Sequence, residues 1–140
     1  MTNRNISFIV KEQNPLMLRP TDTVEVACQH MCERRVGAVL VTDAHAHLKG
    51  IFTGRDAVQV LARHGDAARV HLSEVMTAKP DTIAPERTAI EALRMMCDGG
   101  YRHLPVVTDG KVVGIVSRSD FKGLELDQFE DETSLWERIC

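Results

Sequence analysis

The sequence predicts a mixed α/β (α+β) fold, two copies of one β-α-β-β-α unit packed as a pseudo-twofold module. Three observations carry this expectation: the chain repeats itself, prolines recur at matching places, and each copy passes from a helical to a strand-like apolar pattern. A shift of 65 lays 14–42 on 79–107 and pairs Pro15 with Pro80, Pro20 with Pro85, Thr23 with Thr88 and Ala27 with Ala92. Met31 then meets Met96, Cys32 meets Cys97 and Val41 meets Val106. After a one-residue difference in a turn, a shift of 64 lays Gly50–Asp56 on Gly114–Asp120. One copy spans about 60 residues, a length at which an isolated core is marginal, so the two copies are expected to pack together.

Each copy opens with a short extended piece bracketed by prolines, Asn14 to Pro20 and Lys79 to Pro85, because proline keeps the residue before it out of helical conformation. A helix follows, capped by Thr23 or Thr88, with Val24, Ala27, Cys28 and Met31 on the apolar face of one copy and Ile90, Leu93, Met96 and Cys97 on that of the other. Two runs rich in β-branched residues come next, Ala38 to Val41 with Leu48 to Phe52, and Leu104 to Val107 with Val112 to Val116. Asp109-Gly110 is a hairpin turn, and Asp43 to His47 is its longer counterpart. A second helix leaves each hairpin, from Asp56 to His64 with Gly65 as C-cap, and from Asp120 onward. Residues 6–65 thus form the first repeat, 66–78 a linking helix or loop, 79–125 the second repeat, and 126–140 a charged, helical tail carrying Leu135, Trp136 and Ile139.

Composition narrows the function classes. Apolar residues make up 44% of the chain and charged residues 26%, ordinary values for a globular domain. A net charge of −3 supplies no electrostatic reason to bind nucleic acid or an anionic membrane. No segment approaches the roughly 20 apolar residues of a bilayer span. The first eleven positions, Met1 to Lys11, lack a signal-peptide core, so a cytoplasmic protein is expected. Cys28, Cys32, Cys97 and Cys140 form no CxxC pair and read as buried or half-buried thiols. Cys28, His30, Cys32, His45 and His47 raise a metal or redox-responsive alternative, but on a helix His30 leaves the Cys28/Cys32 face and no zinc-module spacing occurs. No Gly-x-Ser-x-Gly, Walker A or His-Glu-x-x-His string is present, so no enzyme is expected.

Several strings in a fixed order resemble a tandem pair of CBS domains, the modules named after cystathionine beta-synthase. They are Asn14-Pro15 through Thr23, Val36 to Val41, Gly50 to Asp56, Val75-Met76-Thr77, Lys79 to Ile83, Tyr101 to Val107 and Gly114 to Asp120, spread over residues 6–125. The resemblance implies a regulatory Bateman module that needs no cofactor and takes AMP, ADP, ATP or S-adenosylmethionine in the cleft between its repeats. It also implies a homodimeric disc and an effector protein that receives the signal. A structural dimer with degenerate clefts is the alternative that keeps the fold and drops the ligand.

The residues supply a chemical case for such a ligand. Gly-x-x-(Thr/Ser)-x-x-Asp recurs at the passage from strand to helix, where free N–H groups and a hydroxyl from Thr53 or Ser117 suit phosphate. An aspartate one turn on, Asp56 or Asp120, can accept both ribose hydroxyls, and Arg55 and Arg118 are candidates for phosphate oxygens. The family resemblance assigns phosphate and ribose contacts to Thr53, Asp56, Ser117 and Asp120. The same pattern is also that of a capping box, which needs no ligand. Arg102 and His103 stand where the first copy has Gly37 and Ala38, so the second copy offers the more cationic rim. Thr21 and Thr82-Ile83 are expected to line the clefts through backbone groups.

Overall fold

The computed structural model of the chain describes residues 3–121. The tail with Leu135, Trp136, Ile139 and Cys140 lies outside the described residues, as does all but the start of the helix expected from Asp120 onward, where a 3-10 turn ends at Asp120 and Phe121 is extended. In chain order the elements are α1 (Ile6–Val10), β1 (Met17–Leu18), α2 (Val24–Arg34), β2 (Ala38–Thr42), β3 (Leu48–Thr53), α3 (Gly54–Arg63), α4 (Leu72–Val75), β4 (Thr77–Ala78), α5 (Ala89–Gly99), β5 (His103–Thr108) and β6 (Lys111–Ser117), ending in a 3-10 turn at Arg118–Asp120. The described residues divide into two compact units: a first unit of residues 14–81 with 109–112, and a second unit of 3–13, 82–108 and 113–121.

In the first unit the sheet order is β1-β2-β3-β4, with β1 parallel to β2 and the other pairs antiparallel. Every residue of β2 is buried, which is why its run of Ala-Val-Leu-Val carries no polar alternation. The register breaks between Val41 and Thr42, where the longer turn begins and the Asp43 carboxylate accepts from the His45 and His47 N–H groups at 2.8 and 3.0 Å. Thr23 caps α2, its hydroxyl accepting from Val26 N–H at 3.3 Å. Val24, Ala27 and Met31 of that helix meet Val39, Val41, Phe52, Val60 and Leu72 in the core. Helix α3 starts at Gly54, two residues before the expected Asp56, because Thr53 is its cap. His64 is the C-cap, and Gly65 turns left-handed just beyond it at φ 75°.

The second unit repeats these devices. Thr88 caps α5 by accepting from Glu91 N–H at 3.3 Å, and Gly100 ends it at φ 72°. Asp109 and Gly110 both take positive φ, 52° and 79°, the geometry of the tight β5–β6 turn. Ile83 forms a parallel bridge with Val106, the equivalent of Leu18 with Val41 under the shift of 65. The core gathers Ala89, Ala92, Leu93 and Met96 of α5 with Leu104, Val106, Val116, Ile6 and Val10. The thiols depart from expectation: Cys28 is half-buried, but Cys32 and Cys97 are exposed, since Met31 and Met96 take the core-facing places beside them.

Neither unit is closed by its own repeat alone. In the first, Leu72 and Ser73 N–H donate to Asp22 and Pro20 carbonyls at 2.8 and 3.0 Å, and in the second, Ile6 and Ser7 N–H donate to Arg87 and Pro85 carbonyls at 2.8 Å each. Under a shift of 66, α1 is therefore to the second unit what α4 is to the first, and Ile6 and Leu72 are both fully buried. Each segment presses on a glycine of the middle strand: a Cβ on Gly50 would lie 2.5 Å from Met76 Sδ, and one on Gly114 would lie 2.6 Å from Val10 Cβ.

The two closures differ in one respect. Strand β4 pairs Thr77 with Ile51, whereas the Gln13 side chain takes that role for Ile115. Gln13 Oε1 accepts from Ile115 N–H at 2.9 Å and Gln13 Nε2 donates to Ile115 C=O at 2.8 Å, so a carboxamide stands in for a peptide group. Replacing it should leave both strand groups unsatisfied. Gln13→Leu is expected to cost about 1–3 kcal/mol in urea unfolding, with Gln13→Glu, which keeps only the acceptor, falling between; a wild-type midpoint for Gln13→Leu would show that the amide is not a strand substitute.

Candidate functional site

Each unit carries one sharp corner where its last long strand turns into helix. At the first, Thr53 N–H donates to Asp56 Oδ2 at 2.9 Å, Thr53 Oγ1 lies 3.1 Å from the same oxygen, and Asp56 N–H donates back to Thr53 Oγ1 at 3.3 Å. At the second, Ser117 N–H donates to Asp120 Oδ2 at 2.7 Å and Ser117 Oγ to the same oxygen at 3.3 Å. Both are capping boxes, with the aspartates fastening their own turns. Every bond that the two carboxylates accept falls on Oδ2, so Oδ1 of each half-buried carboxylate keeps its acceptor capacity.

A second bond fixes the floor of each corner. Gly54 N–H donates to Gly37 C=O at 3.1 Å, and Arg118 N–H donates to Arg102 C=O at 3.2 Å. This places the backbone of Arg118, half-buried, beside that of exposed Arg102, and neither guanidinium forms an ion pair among the described residues. His103 follows Arg102 at the start of β5 and is half-buried. Burial pushes its imidazole below the ordinary histidine value, Arg102 pushes it further down, and Asp120 opposes them. Arg55, at Ser119's place in the first corner, is exposed.

The extended pieces are less free than the sequence suggests. Ile83 donates its N–H to Pro105 C=O at 3.0 Å and accepts from Val107 N–H at 3.0 Å with its side chain buried, so its backbone is spent on β5 and half-buried Thr82 is the neighbour with groups to offer. The carbonyl of exposed Thr21 lies 2.7 Å from His71 Nδ1, and since a carbonyl only accepts, that nitrogen carries the proton. Thr21, Thr53, Arg55 and Asp56 belong to the first unit, and Thr82, Ile83, Arg102, His103, Ser117, Arg118 and Asp120 to the second.

Arg4 escaped the sequence reading. Its guanidinium donates to Asp120 C=O at 2.9 Å and so buttresses the second corner from α1's side. No local signal marks it, because the segment that holds it matches its counterpart, residues 70–79, at little more than Ser7 with Ser73. Among the described residues no three His, Cys, Asp or Glu side chains are grouped to hold a metal ion, and no helix is long and apolar enough to cross a membrane.

The doubled unit has relatives. A plant protein, CBS domain-containing protein CBSCBSPB1 of Arabidopsis thaliana, is 39% identical over 102 residues, 72% of this chain. The chain spans about a fifth (19%) of that relative's length. Among solved structures, a CBS domain protein of Pyrobaculum aerophilum complexed with AMP superposes with a TM-score of 0.82 at 21% identity, covering 91% of this chain and 99% of that one. The CBS domain pair of protein MJ0100, in complex with 5-methylthioadenosine and S-adenosyl-L-methionine, superposes with a TM-score of 0.77 at 23% identity over 84% of this chain and 95% of that one. The CBS domain family model matches twice, at residues 7–63 and 72–126, one match for each copy of the repeat, and the chain belongs to the CBS domain family.

Proposed function

We propose that the protein is a regulatory module that binds an adenosine-based ligand, AMP, ADP, ATP or S-adenosylmethionine, at its strand-to-helix corners. The observation that carries this reading is the division of labour within each aspartate: one oxygen closes the cap and the other is left able to accept from a ribose hydroxyl. The cap and the ligand contact therefore do not compete for the same atom. Arg118 and Arg102 supply donors for phosphate, Thr53 and Ser117 hold the turns beside it with their hydroxyl protons on Asp56 and Asp120, His103 and Thr82 flank the second corner, and Thr21 and Arg55 flank the first. The fold's ligands elsewhere, AMP in the Pyrobaculum aerophilum protein and 5-methylthioadenosine with S-adenosyl-L-methionine in the MJ0100 pair, support an adenosyl group as the common element. Regulation of a separate or attached effector, rather than catalysis, fits a unit that in the plant relative is a minor part of a longer chain.

A thermal-shift panel of AMP, ADP, ATP, S-adenosylmethionine and adenosine tests the reading. A ligand at a hundred times its Kd stabilises by about 2.7 kcal/mol, which at roughly 2–4 °C per kcal/mol raises Tm by about 5–11 °C. Asp120→Asn keeps an acceptor for the cap but replaces the second oxygen with an amide, and it is expected to halve that rise or worse. A flat response of the wild-type chain to every adenylate would leave only the fold.

The reading includes a homodimer formed through the helical face of the first unit. Val58 and Leu61 of α3 are 64% and 69% exposed, beside an apolar groove of about 560 Å³ lined by Cys28, Cys32, Val60, Leu61 and Ala67. Apolar side chains this open are a liability on a lone domain and an asset at an interface. Sedimentation should give the mass of two chains for the wild type and of one for Leu61→Glu; a wild-type monomer at micromolar concentration would contradict the dimer.

A further inference from the structure

The two corners share a backbone and a capping box but not a charge. Superposing them through the repeat sets Arg102 on Gly37, His103 on Ala38 and Arg118 on Gly54, while Ser119 falls on Arg55. The second corner thus carries two arginines and a histidine on its floor and rim, and the first carries one exposed arginine on its helix. Arg118 is half-buried, and among the described residues neither it nor Arg102 has a carboxylate partner. A partly desolvated guanidinium without a counter-ion is costly, and a phosphate is the anion whose geometry its planar fork of donors fits. The cations flank Ser117, whose hydroxyl is 2.9 Å from that of Ser119, so a second hydroxyl stands at the same turn.

We propose that the corners discriminate by charge: the second unit's corner binds the phosphate-bearing nucleotide through Arg102 and Arg118, and the first unit's corner takes an adenosyl ligand without phosphate. This rests on the adenosine-ligand reading above and refines it. In the first corner Gly37 and Gly54 put backbone where the second has guanidinium groups, so a ligand there meets a hydroxyl and a carboxylate suited to a ribose but no floor cation to neutralise a phosphate dianion. Two nucleoside signals of different charge would then be read at once, one per unit.

Titration calorimetry with two probes, AMP and 5-methylthioadenosine, separates the possibilities. In the wild type both are expected to bind. In the double variant Arg102→Gly, Arg118→Gly, which replaces both arginines with the glycines of the first corner, the ratio of AMP to methylthioadenosine affinity should fall at least tenfold. The converse variant, Gly54→Arg, has room, because beyond its own turn nothing lies within 4 Å of a Cβ built there, and it should raise the number of AMP bound per chain. An unchanged affinity ratio in the double variant, or an unchanged AMP stoichiometry in Gly54→Arg, overturns the charge discrimination while leaving adenosine binding intact. Failure of both probes to bind the wild type overturns the adenosine-ligand reading itself.

Discussion

A carboxylate that closes a hydrogen-bonded ring with the residue three places before it is the constraint from which the rest follows. At Thr53–Asp56 and Ser117–Asp120 the strand must end, the chain must turn, and the first amides of the turn must find acceptors. The aspartate meets the cap residue's N–H with a single oxygen, at 2.9 Å in one unit and 2.7 Å in the other. That ring sets the direction in which the turn leaves the sheet and holds the second oxygen at a defined place. The bonds from Gly54 to Gly37 and from Arg118 to Arg102 then tie the corner to the start of the neighbouring strand, so two stretches distant in sequence share one floor.

Packing supports the corners indirectly. The middle strands β3 and β6 each need a partner on their outer side, and each receives it from a segment beyond the repeat proper: α4 with β4, or α1 with Gln13. Gly50 and Gly114 are glycines because Met76 and Val10 occupy the space where a side chain would begin. Arg4, carried on the same N-terminal segment as Ile6 and Val10, reaches Asp120's carbonyl, which couples closure of the second unit to the position of its corner. Burial of Ile6 therefore bears on the position of the second corner, not only on stability.

Much of this was legible in the sequence, and the parts that were not have physical reasons. The repeat, the threonine caps, both hairpins and the Thr/Ser-x-x-Asp corners depend on contacts a few residues apart, and local chemistry writes such contacts plainly. Helix α1, Ile6–Val10, is too short to show a period, and its bonds go to Arg87 and Pro85, far along the chain. Gln13 has no propensity that marks it as a strand substitute, since its role exists only once Ile115 is beside it. Cys32 and Cys97 lie next to the core methionines, and one step around a helix was enough to move them to solvent. At the corners the pattern left cap and ligand site undivided, because both uses call for the same residue types; only the placement of the bonds on Oδ2 separates the atoms each would employ.

A phosphorylated adenosine is predicted to settle on the second unit's corner. Backbone amide shifts, followed by NMR as AMP is added to the ¹⁵N-labelled chain, test it residue by residue. The largest changes are predicted at Arg102, His103 and Ser117 to Asp120, with much smaller ones at Thr53 to Asp56. Changes centred on residues 53–56, or spread over the helical faces with none at 117–120, would contradict it.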